Sequence, residues 1–231
     1  MADYDVIIAG GGLAGTIAAQ SISYYSNQGL KILVIDRNPS NLPGMKSVAG
    51  WICGDAVSKE AVDFMSNRIK VNWSEPEIEH KVKGVMAFSP DRETSIPFDG
   101  AGYMLNRQVL PHRQNERTLA MGVDFDFEIN ITGLMYEGNQ VVGVQGIDYK
   151  TKTLYKRTAK VVIDATGMTS MLRNQISNTT KMERKIDRKD IESTGRHIMY
   201  FDQGEEDLTE FDPDYCIIHL DQDIAPGGYG W

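Results

Sequence analysis

The sequence lacks the features that mark membrane-spanning, secreted and metal-binding proteins. No apolar run in its 231 residues approaches the roughly 18 that a transmembrane helix needs. It has only two cysteines, Cys53 and Cys216, and no CxxC or HExxH pattern offers the spacing of a metal site. The first residues lack the basic stretch and the small-residue cleavage site of a signal peptide. We therefore expect a cytoplasmic protein with no metal ion and no disulfide framework.

Positive charge is also scarce. The chain has 24 lysines and arginines against 32 aspartates and glutamates, which leaves a net charge of -8. A surface that binds nucleic acid has to be basic, so we expect no nucleic-acid partner. The net charge does not exclude a membrane, because a local patch or an apolar groove is enough for contact with its surface.

The first forty residues carry a phosphate-binding pattern. The β-branched run at 6–9 predicts a buried parallel strand, and Gly10, Gly12 and Gly15 then fit G-x-G-x-x-G ahead of a helix with one apolar face. The first glycine permits a tight turn, the second lets a pyrophosphate approach the backbone, and the third lets the helix pack against the strand. Because N–H groups at a helix start face an anion favourably, the pattern predicts a dinucleotide site.

A second predicted strand, 32–35, ends in Asp36, which lies 21 positions after Gly15. An acid at this place accepts hydrogen bonds from a ribose 2′-OH, and its charge disfavours a 2′-phosphate. This argues against NADP, but NAD and FAD both use the same unit.

After Asp36 the chain does not continue with the regular alternation of strands and helices that an NAD dehydrogenase has. A long stretch rich in Gly, Pro, Asn and Ser follows Asp36. The elements predicted after it are a helix at 56–65, strands at 83–90 and 94–99, a helix at 106–122, a half-buried strand at 122–129 and a meander at 133–160. Pro111 argues against helix at the start of the 106–122 segment.

The last strand of the meander carries a second motif. The hydrophobic run 161–163 is followed by Asp164-Ala165-Thr166-Gly167. A strand that ends in Ala-Thr-Gly about 150 residues after a glycine fingerprint resembles the flavoproteins with two dinucleotide-binding domains. This resemblance implies FAD as the cofactor.

Three further stretches resemble one branch of these flavoproteins, the archaeal geranylgeranyl reductases. "CGDAVSK" at 53–59 resembles the cysteine motif of that family, "PGGYGW" at 226–231 the start of its P-x-x-Y-x-W-x-F-P motif, and "NR" at 106–107 its arginine motif. The resemblance implies an FAD-dependent oxidoreductase that hydrogenates C=C bonds of geranylgeranyl chains in archaeal membrane lipid precursors, with hydride from flavin N5.

The fold class implied by the resemblance is α/β. It is a Rossmann-type FAD-binding domain of p-hydroxybenzoate hydroxylase-like architecture, with an antiparallel β-sheet substrate domain that is incomplete at the C-terminus. We expect the FAD-binding domain at 1–75 and 104–175, and part of the substrate domain at 76–103 and 176–231.

The resemblance also implies roles for individual residues. The cofactor-binding set is Gly10, Gly12, Ala14, Gly15, Asp36, Arg37, Cys53, Gly54, Ala56, Arg107, Ile131, Ala165, Thr166 and Gly167. Arg107 is expected at a FAD phosphate or a nearby oxygen, and Ile131 at adenine through its backbone. Tyr229 and Trp231 are expected to line the isoprenoid tunnel. The candidate catalytic acids are Cys53 and Tyr229.

The expected partners are an isoprenoid lipid, the inner face of the membrane as a peripheral contact, and an external electron donor. The sequence does not distinguish ferredoxin from NAD(P)H as this electron donor.

Two alternatives also stay open. A flavin-dependent monooxygenase or halogenase shares this architecture, although the halogenase W-x-W-x-I-P stretch is absent and "DATG" stands where monooxygenases carry Asp-Gly. The second alternative is an inactive FAD-binding fragment, because the motif breaks off after Trp231 and the last FAD-binding strand of such folds is expected beyond it.

Overall fold

A computed structural model describes residues 2–42, 53–168, 171–176, 186–191, 194–197 and 212–231. Part of the long loop after Asp36, residues 43–52, lies outside these ranges. The strands in the described ranges are β1 Tyr4–Ala9, β2 Ile32–Asp36, β3 Ala56–Ser58, β4 Ile78–Phe88, β5 Ser95–Leu105, β6 Asp124–Phe127, β7 Ile129–Glu137, β8 Gln140–Asp148, β9 Leu154–Asp164 and β10 Tyr215–His219. The α-helices there are α1 Leu13–Tyr25, α2 Lys59–Ile69 and α3 Val109–Ala120, and two 3-10 turns lie at Arg173–Gln175 and Arg188–Asp190.

The chain divides into two compact units. The first unit comprises residues 1–51 and 108–191, and the second unit comprises 52–107 and 192–231. Residues 52–75 and 104–107, which the sequence analysis assigned to the cofactor domain, therefore fall in the second unit. The physical reason is strand pairing, because Ala56 of β3 lies opposite Met104 of β5.

The first unit is built on a six-stranded sheet in the order β6-β2-β1-β9-β8-β7. Strand β1 pairs in parallel with β2 and with the C-terminal half of β9, while the N-terminal half of β9 pairs antiparallel with β8. The long strand β9 thus joins the parallel part of the sheet to the β7–β8–β9 meander. The meander itself was predicted from the sequence. The length of β9 lets the meander contribute to the core on one side of β1.

Successive side chains of β1 and β2 point to opposite faces, as in any strand, and pack into two separate hydrophobic cores. Ile7 and Leu33 pack with Val144 and Tyr155 of the meander. On the opposite face Ile8 and Val34 pack with Ala19 of α1 and with Val123. Strands β1 and β2 are therefore buried on both faces, which explains why these two strands carry continuous apolar runs.

Helices α1 and α3 meet through a buried polar contact. Gln20 Nε2 donates to Thr118 Oγ1 at 2.8 Å, and Gln114 Nε2 donates to Gln20 Oε1 at 3.0 Å. These partners satisfy the buried amides. Pro111 is accommodated because α3 begins at Val109, so the proline lies in the first turn, where its missing N–H costs nothing.

The second unit is a four-stranded sheet in the order β10-β4-β5-β3. Strands β4 and β5 form the hairpin that the sequence predicted; β4 begins earlier and β5 ends later than predicted. The predicted helix at 56–65 is corrected at its start, because residues 56–58 are strand β3 and α2 begins at Lys59. Ser58 sets this boundary, since its Oγ accepts a hydrogen bond from the Ala61 N–H at 3.2 Å and caps the helix.

Among the helices in the described residues, none has both the length and the apolar character needed to cross a membrane.

Candidate dinucleotide site and cysteine cluster

A cleft opens in the first unit where β1 and β2 end. Its volume is about 200 Å³, and it is lined by Ala9, Gly10, Gly12, Ile35, Asp36, Arg37, Asn38, Ile129, Asn130, Ile131, Ala165, Thr166, Gly167 and Met171. The cleft lies at the carboxyl ends of adjacent parallel strands, which is where open α/β sheets bind their ligands. The fold thus assembles residues from four separate parts of the chain around one opening.

Two glycines of the first motif are required by close backbone packing. Gly10 has φ of +112°, and a Cβ on it would lie 2.2 Å from the Ala165 carbonyl oxygen. A Cβ on Gly15 would lie only 1.9 Å from the Gly10 carbonyl oxygen. Both positions therefore exclude any side chain for reasons internal to the fold.

Gly12 differs from them, because a Cβ placed on it would meet nothing within 4 Å. Its φ of -73° is also open to other residues, and it is the N-cap of α1. Among the residues that the structure describes, none requires glycine at this position. The open space beside the helix start is the space that a pyrophosphate needs.

Asp36 is held firmly at the edge of the cleft. It is 4% exposed, its Oδ2 accepts from the Gly11 N–H at 2.7 Å, and its Oδ1 accepts from the Asn38 N–H at 2.7 Å. A Cβ on Gly11 would lie 2.6 Å from Asp36 Oδ2, so the residue between the motif glycines is also constrained. The carboxylate fixes the turn as well as lining the cleft.

The second motif closes the other side of the cleft. The Ala165 N–H donates to the Ala9 carbonyl at 2.8 Å, which joins the Ala-Thr-Gly turn to the end of β1. Asp164 Oδ1 accepts from Thr166 N–H and Oγ1, at 3.0 and 2.6 Å. The turn is thus ordered by its own aspartate.

The cleft also contains residues that the sequence analysis missed. Asn38, Asn130 and Met171 line it. Asn130 precedes Ile131, and Asn38 follows Asp36 by two positions, so proximity to those residues was the available signal. Ala14, in contrast, is exposed on the first turn of α1 and does not line the cleft.

Residues 5–197 match the family described as FAD dependent oxidoreductase. The chain belongs to this family. Its cofactor is FAD, and the cleft fits the ADP half of that molecule: there is open space beside Gly12, a helix N-terminus behind it, and a buried acid at the end of β2.

Curated relatives match almost the whole chain. This chain is 34% identical over 235 residues to the digeranylgeranylglycerophospholipid reductase of Sulfolobus acidocaldarius. The alignment covers 99% of this chain and 47% of that protein. The enzyme of the same name from Methanosarcina acetivorans is 26% identical, covering 99% of this chain and 51% of the relative. The chain thus spans about half the length of these relatives.

Solved structures share the fold. A geranylgeranyl bacteriochlorophyll reductase-like protein from Thermoplasma acidophilum superposes with a TM-score of 0.72 at 23% identity, over 98% of this chain and 52% of that one. A flavin-dependent brominase superposes with a TM-score of 0.59 at 17% identity, over 72% of this chain and 39% of that one. At these identities the likeness concerns the fold alone.

The second unit brings together the cysteine and arginine motifs. Arg107 is 7% exposed and precedes α3, and its Nη2 donates to Cys53 Sγ at 3.4 Å. Its Nε lies 3.4 Å from Asp55 Oδ1. Asp55 Oδ2 in turn lies 2.7 Å from Arg196 Nη2. We call Cys53, Asp55, Arg107 and Arg196 the cysteine cluster.

Burial and the neighbouring positive charges have opposite effects on the pKa of Asp55. Loss of solvent raises its pKa, while Arg196 and then Arg107 oppose the rise. Burial also raises the pKa of the Cys216 thiol, with Asp55 as a second cause. Asp55 and Arg196 were not among the site residues predicted from the sequence. The "CGD" motif pointed to the first of them, and no pattern marks the second.

The C-terminal motif contacts the cysteine motif. A Cβ on Gly54 would lie 3.3 Å from Nε1 of Trp231, so the indole ring lies directly over this glycine. Gly230 exchanges backbone hydrogen bonds with His219 of β10, at 2.8 and 2.9 Å. Tyr229 and Trp231 form an edge-to-face pair at 6.2 Å, with 51% and 45% of their surfaces exposed. Ala56, the remaining member of the cysteine motif in the predicted set, is exposed at the start of β3.

Proposed function

We propose that the whole protein is an FAD-dependent reductase that hydrogenates C=C bonds of geranylgeranyl chains in membrane lipid precursors. The observation that carries the proposal is the 34% identity, across 99% of this chain, to a digeranylgeranylglycerophospholipid reductase. The cleft, which contains the glycine and Ala-Thr-Gly motifs, and the cysteine cluster, which contains residues of the cysteine and arginine motifs, support it.

The residues of the first unit are proposed to hold the cofactor. When bound, FAD supplies the hydride for the reduction. The backbone around Gly12 and the α1 N-terminus bind its pyrophosphate, and Asp36 binds the adenosine ribose. Arg37, the backbone of Ile131 and the turn at 165–167 bind the rest of the ADP moiety.

The residues of the second unit are proposed to serve the lipid. An isolated alkene takes up a proton as well as a hydride, and Cys53 Sγ and Tyr229 Oη are the candidate donors. Tyr229 and Trp231 offer exposed aromatic surface that suits an isoprenoid chain. Such a substrate would bring the protein to the membrane surface, and the electrons would come from an external donor.

The test uses the full-length gene product with FAD. The protein is reduced anaerobically with dithionite, mixed with a geranylgeranyl-chain lipid, and the lipid is analysed by mass spectrometry for added hydrogen pairs. NAD(P)H and reduced ferredoxin replace dithionite in parallel reactions. The matched control is Gly12→Val, which places a side chain in the pyrophosphate space.

We expect saturation by the wild-type protein and none by the control. Reduced flavin that is reoxidised by air but leaves the lipid unchanged would reject this function. Halogenation of an aromatic substrate by the same protein with halide and oxygen would favour the halogenase alternative.

A further inference from the structure

The Gln175 side chain makes three hydrogen bonds to the backbone, although the residue is exposed. Its Oε1 accepts from the Leu134 N–H at 3.0 Å, and its Nε2 donates to the Thr132 carbonyl at 2.9 Å and to the Met171 carbonyl at 3.1 Å. The amide thus uses its oxygen and both of its N–H groups. The reverse orientation would place the NH2 group against an N–H and the oxygen against two carbonyls, so the network selects this one.

Two of these bonds complete the edge of β7. Within the part of the chain that the structure describes, β7 is the last strand of its sheet, and its backbone groups that face away from β8 need other partners. The Thr132 carbonyl and the Leu134 N–H lie two positions apart, so they point to the same side of the strand. The amide of Gln175 binds both, as a neighbouring strand would. Edge pairing does not account for the third bond.

The third bond reaches the cleft. Met171, whose carbonyl it holds, lines the cleft and is 48% exposed. The next residue, Leu172, is 1% exposed and belongs to the same core as Ile131 of β7. The fold therefore buries one side chain of this turn and leaves the preceding methionine at the opening. The bond from Gln175 fixes that methionine beside β7.

The position of the ribose decides which part of the dinucleotide lies beside β7. The site assigned to the pyrophosphate is Gly12, and the residue assigned to the ribose is Asp36. Two positions after Asp36, the Asn38 carbonyl accepts from the Glu128 N–H at 3.1 Å, which joins the end of β2 to the start of β7. Because a ribose carries its phosphates and its base on different carbons, the base extends from Asp36 away from Gly12, towards β7.

The methionine has the chemistry that suits an adenine ring. A thioether side chain packs closely on flat aromatic rings, and its sulfur contacts them favourably. We propose that Gln175 is a positioning residue of this site, which holds Met171 beside Ile131 so that the methionine side chain packs against the adenine ring of FAD. The inference rests on the proposed function in one respect, the assignment of the cleft to the ADP half of FAD. It does not depend on the substrate that the flavin reduces.

The test measures the FAD affinity of the full-length protein, freed of FAD, by flavin fluorescence titration. Met171→Ala removes the proposed contact and is expected to weaken binding roughly tenfold. Gln175→Leu removes all three side-chain bonds, while the backbone carbonyl at this position keeps its bond from Tyr136 Oη. We expect it to weaken binding roughly tenfold as well, because the methionine is no longer held in place. The double variant is expected to bind no more than about threefold more weakly than either single variant, since Gln175 acts through Met171.

Two comparisons decide the outcome. Gln140→Leu makes the same change on β8 opposite Glu137, at the far end of β7 from Ile131, and is expected to leave FAD affinity unchanged. A roughly hundredfold loss in the double variant, the product of two independent effects, would assign Gln175 to the stability of β7 alone and overturn the proposal. Wild-type affinity of Met171→Ala or of Gln175→Leu overturns it as well, and so does a loss in Gln140→Leu equal to that in Gln175→Leu.

Urea unfolding of the FAD-free proteins shows whether each variant folds. If Gln175→Leu does not fold, Gln175→Glu replaces it with the same expected loss, because a carboxylate at neutral pH keeps the acceptor for the Leu134 N–H and lacks both donors. Failure of both variants to fold assigns Gln175 a structural role and overturns the proposal. Gly12→Ser is the reference for the cleft. Wild-type affinity of Met171→Ala beside a loss in Gly12→Ser overturns this inference alone, whereas wild-type affinity of both also rejects the assignment of the cleft to FAD.

Discussion

The glycine motif contains two residues for which the structure predicts opposite consequences of substitution. A Cβ on Gly15 would lie 1.9 Å from the Gly10 carbonyl oxygen and 3.4 Å from the Ala165 Cβ. An ordinary non-bonded contact is about 3.5 Å, so Gly15→Ala has to move backbone by roughly 1.5 Å. The affected groups belong to the β1–α1 turn and to the second motif, neither of which is a flexible side chain.

The expected cost of Gly15→Ala lies at the upper end for overpacking, about 3 kcal/mol in the free energy of unfolding. Gly12→Ser is expected to change that free energy by less than about 0.5 kcal/mol, because its Cβ meets nothing within 4 Å and serine is a good N-cap residue. Its hydroxymethyl group, however, enters the space assigned to the pyrophosphate. We therefore expect FAD affinity to fall roughly a hundredfold, or about 3 kcal/mol.

The assay separates the two effects. Urea unfolding of the FAD-free proteins measures stability without the contribution of bound ligand, and flavin fluorescence titration measures affinity. The reasoning is refuted if Gly15→Ala unfolds at the wild-type urea concentration, or if Gly12→Ser binds FAD as tightly as the wild type does.

Two further predictions concern aspartates. Asp36→Asn is expected to lower FAD affinity roughly tenfold and the free energy of unfolding by about 1 kcal/mol, because the amide replaces one of two charge-assisted acceptors with a donor. Flavin titration measures the affinity and urea unfolding the stability. A variant with wild-type values of both would contradict this prediction. Backbone N–H groups, that of Thr151 first, lower the pKa of Asp148, so its contribution to stability is present above its ordinary pKa and is lost as the pH falls through the lowered value. Melting temperatures of wild type and Asp148→Asn, compared between about pH 6 and pH 2, should converge at the acid end, and a constant difference would contradict this.

Local patterns were sufficient for much of the fold. The period of two in β1 and β2, the helical spacing after the glycines and the turn residues of the meander each depend on neighbours in sequence. The start of α2 was mispredicted, because residues 56–58 fit a helical pattern and the competing interaction is pairing with β5, more than 40 positions away. Such pairing cannot be inferred from propensity.

The sequence by itself predicted a dinucleotide site in the first unit, since glycines, strand and acid follow one another within a short segment, and the resemblance of the second motif implied FAD. Only the tertiary structure decided how closely other backbone approaches each glycine: a Cβ on Gly10 would meet the Ala165 carbonyl oxygen, about 150 residues away, whereas a Cβ on Gly12 would meet none of the described residues within 4 Å. It also decided that Asp55 and Arg196 join Cys53 and Arg107. Ion pairs between distant residues leave no periodic signal, and only the folded chain brings their charges within reach of one another.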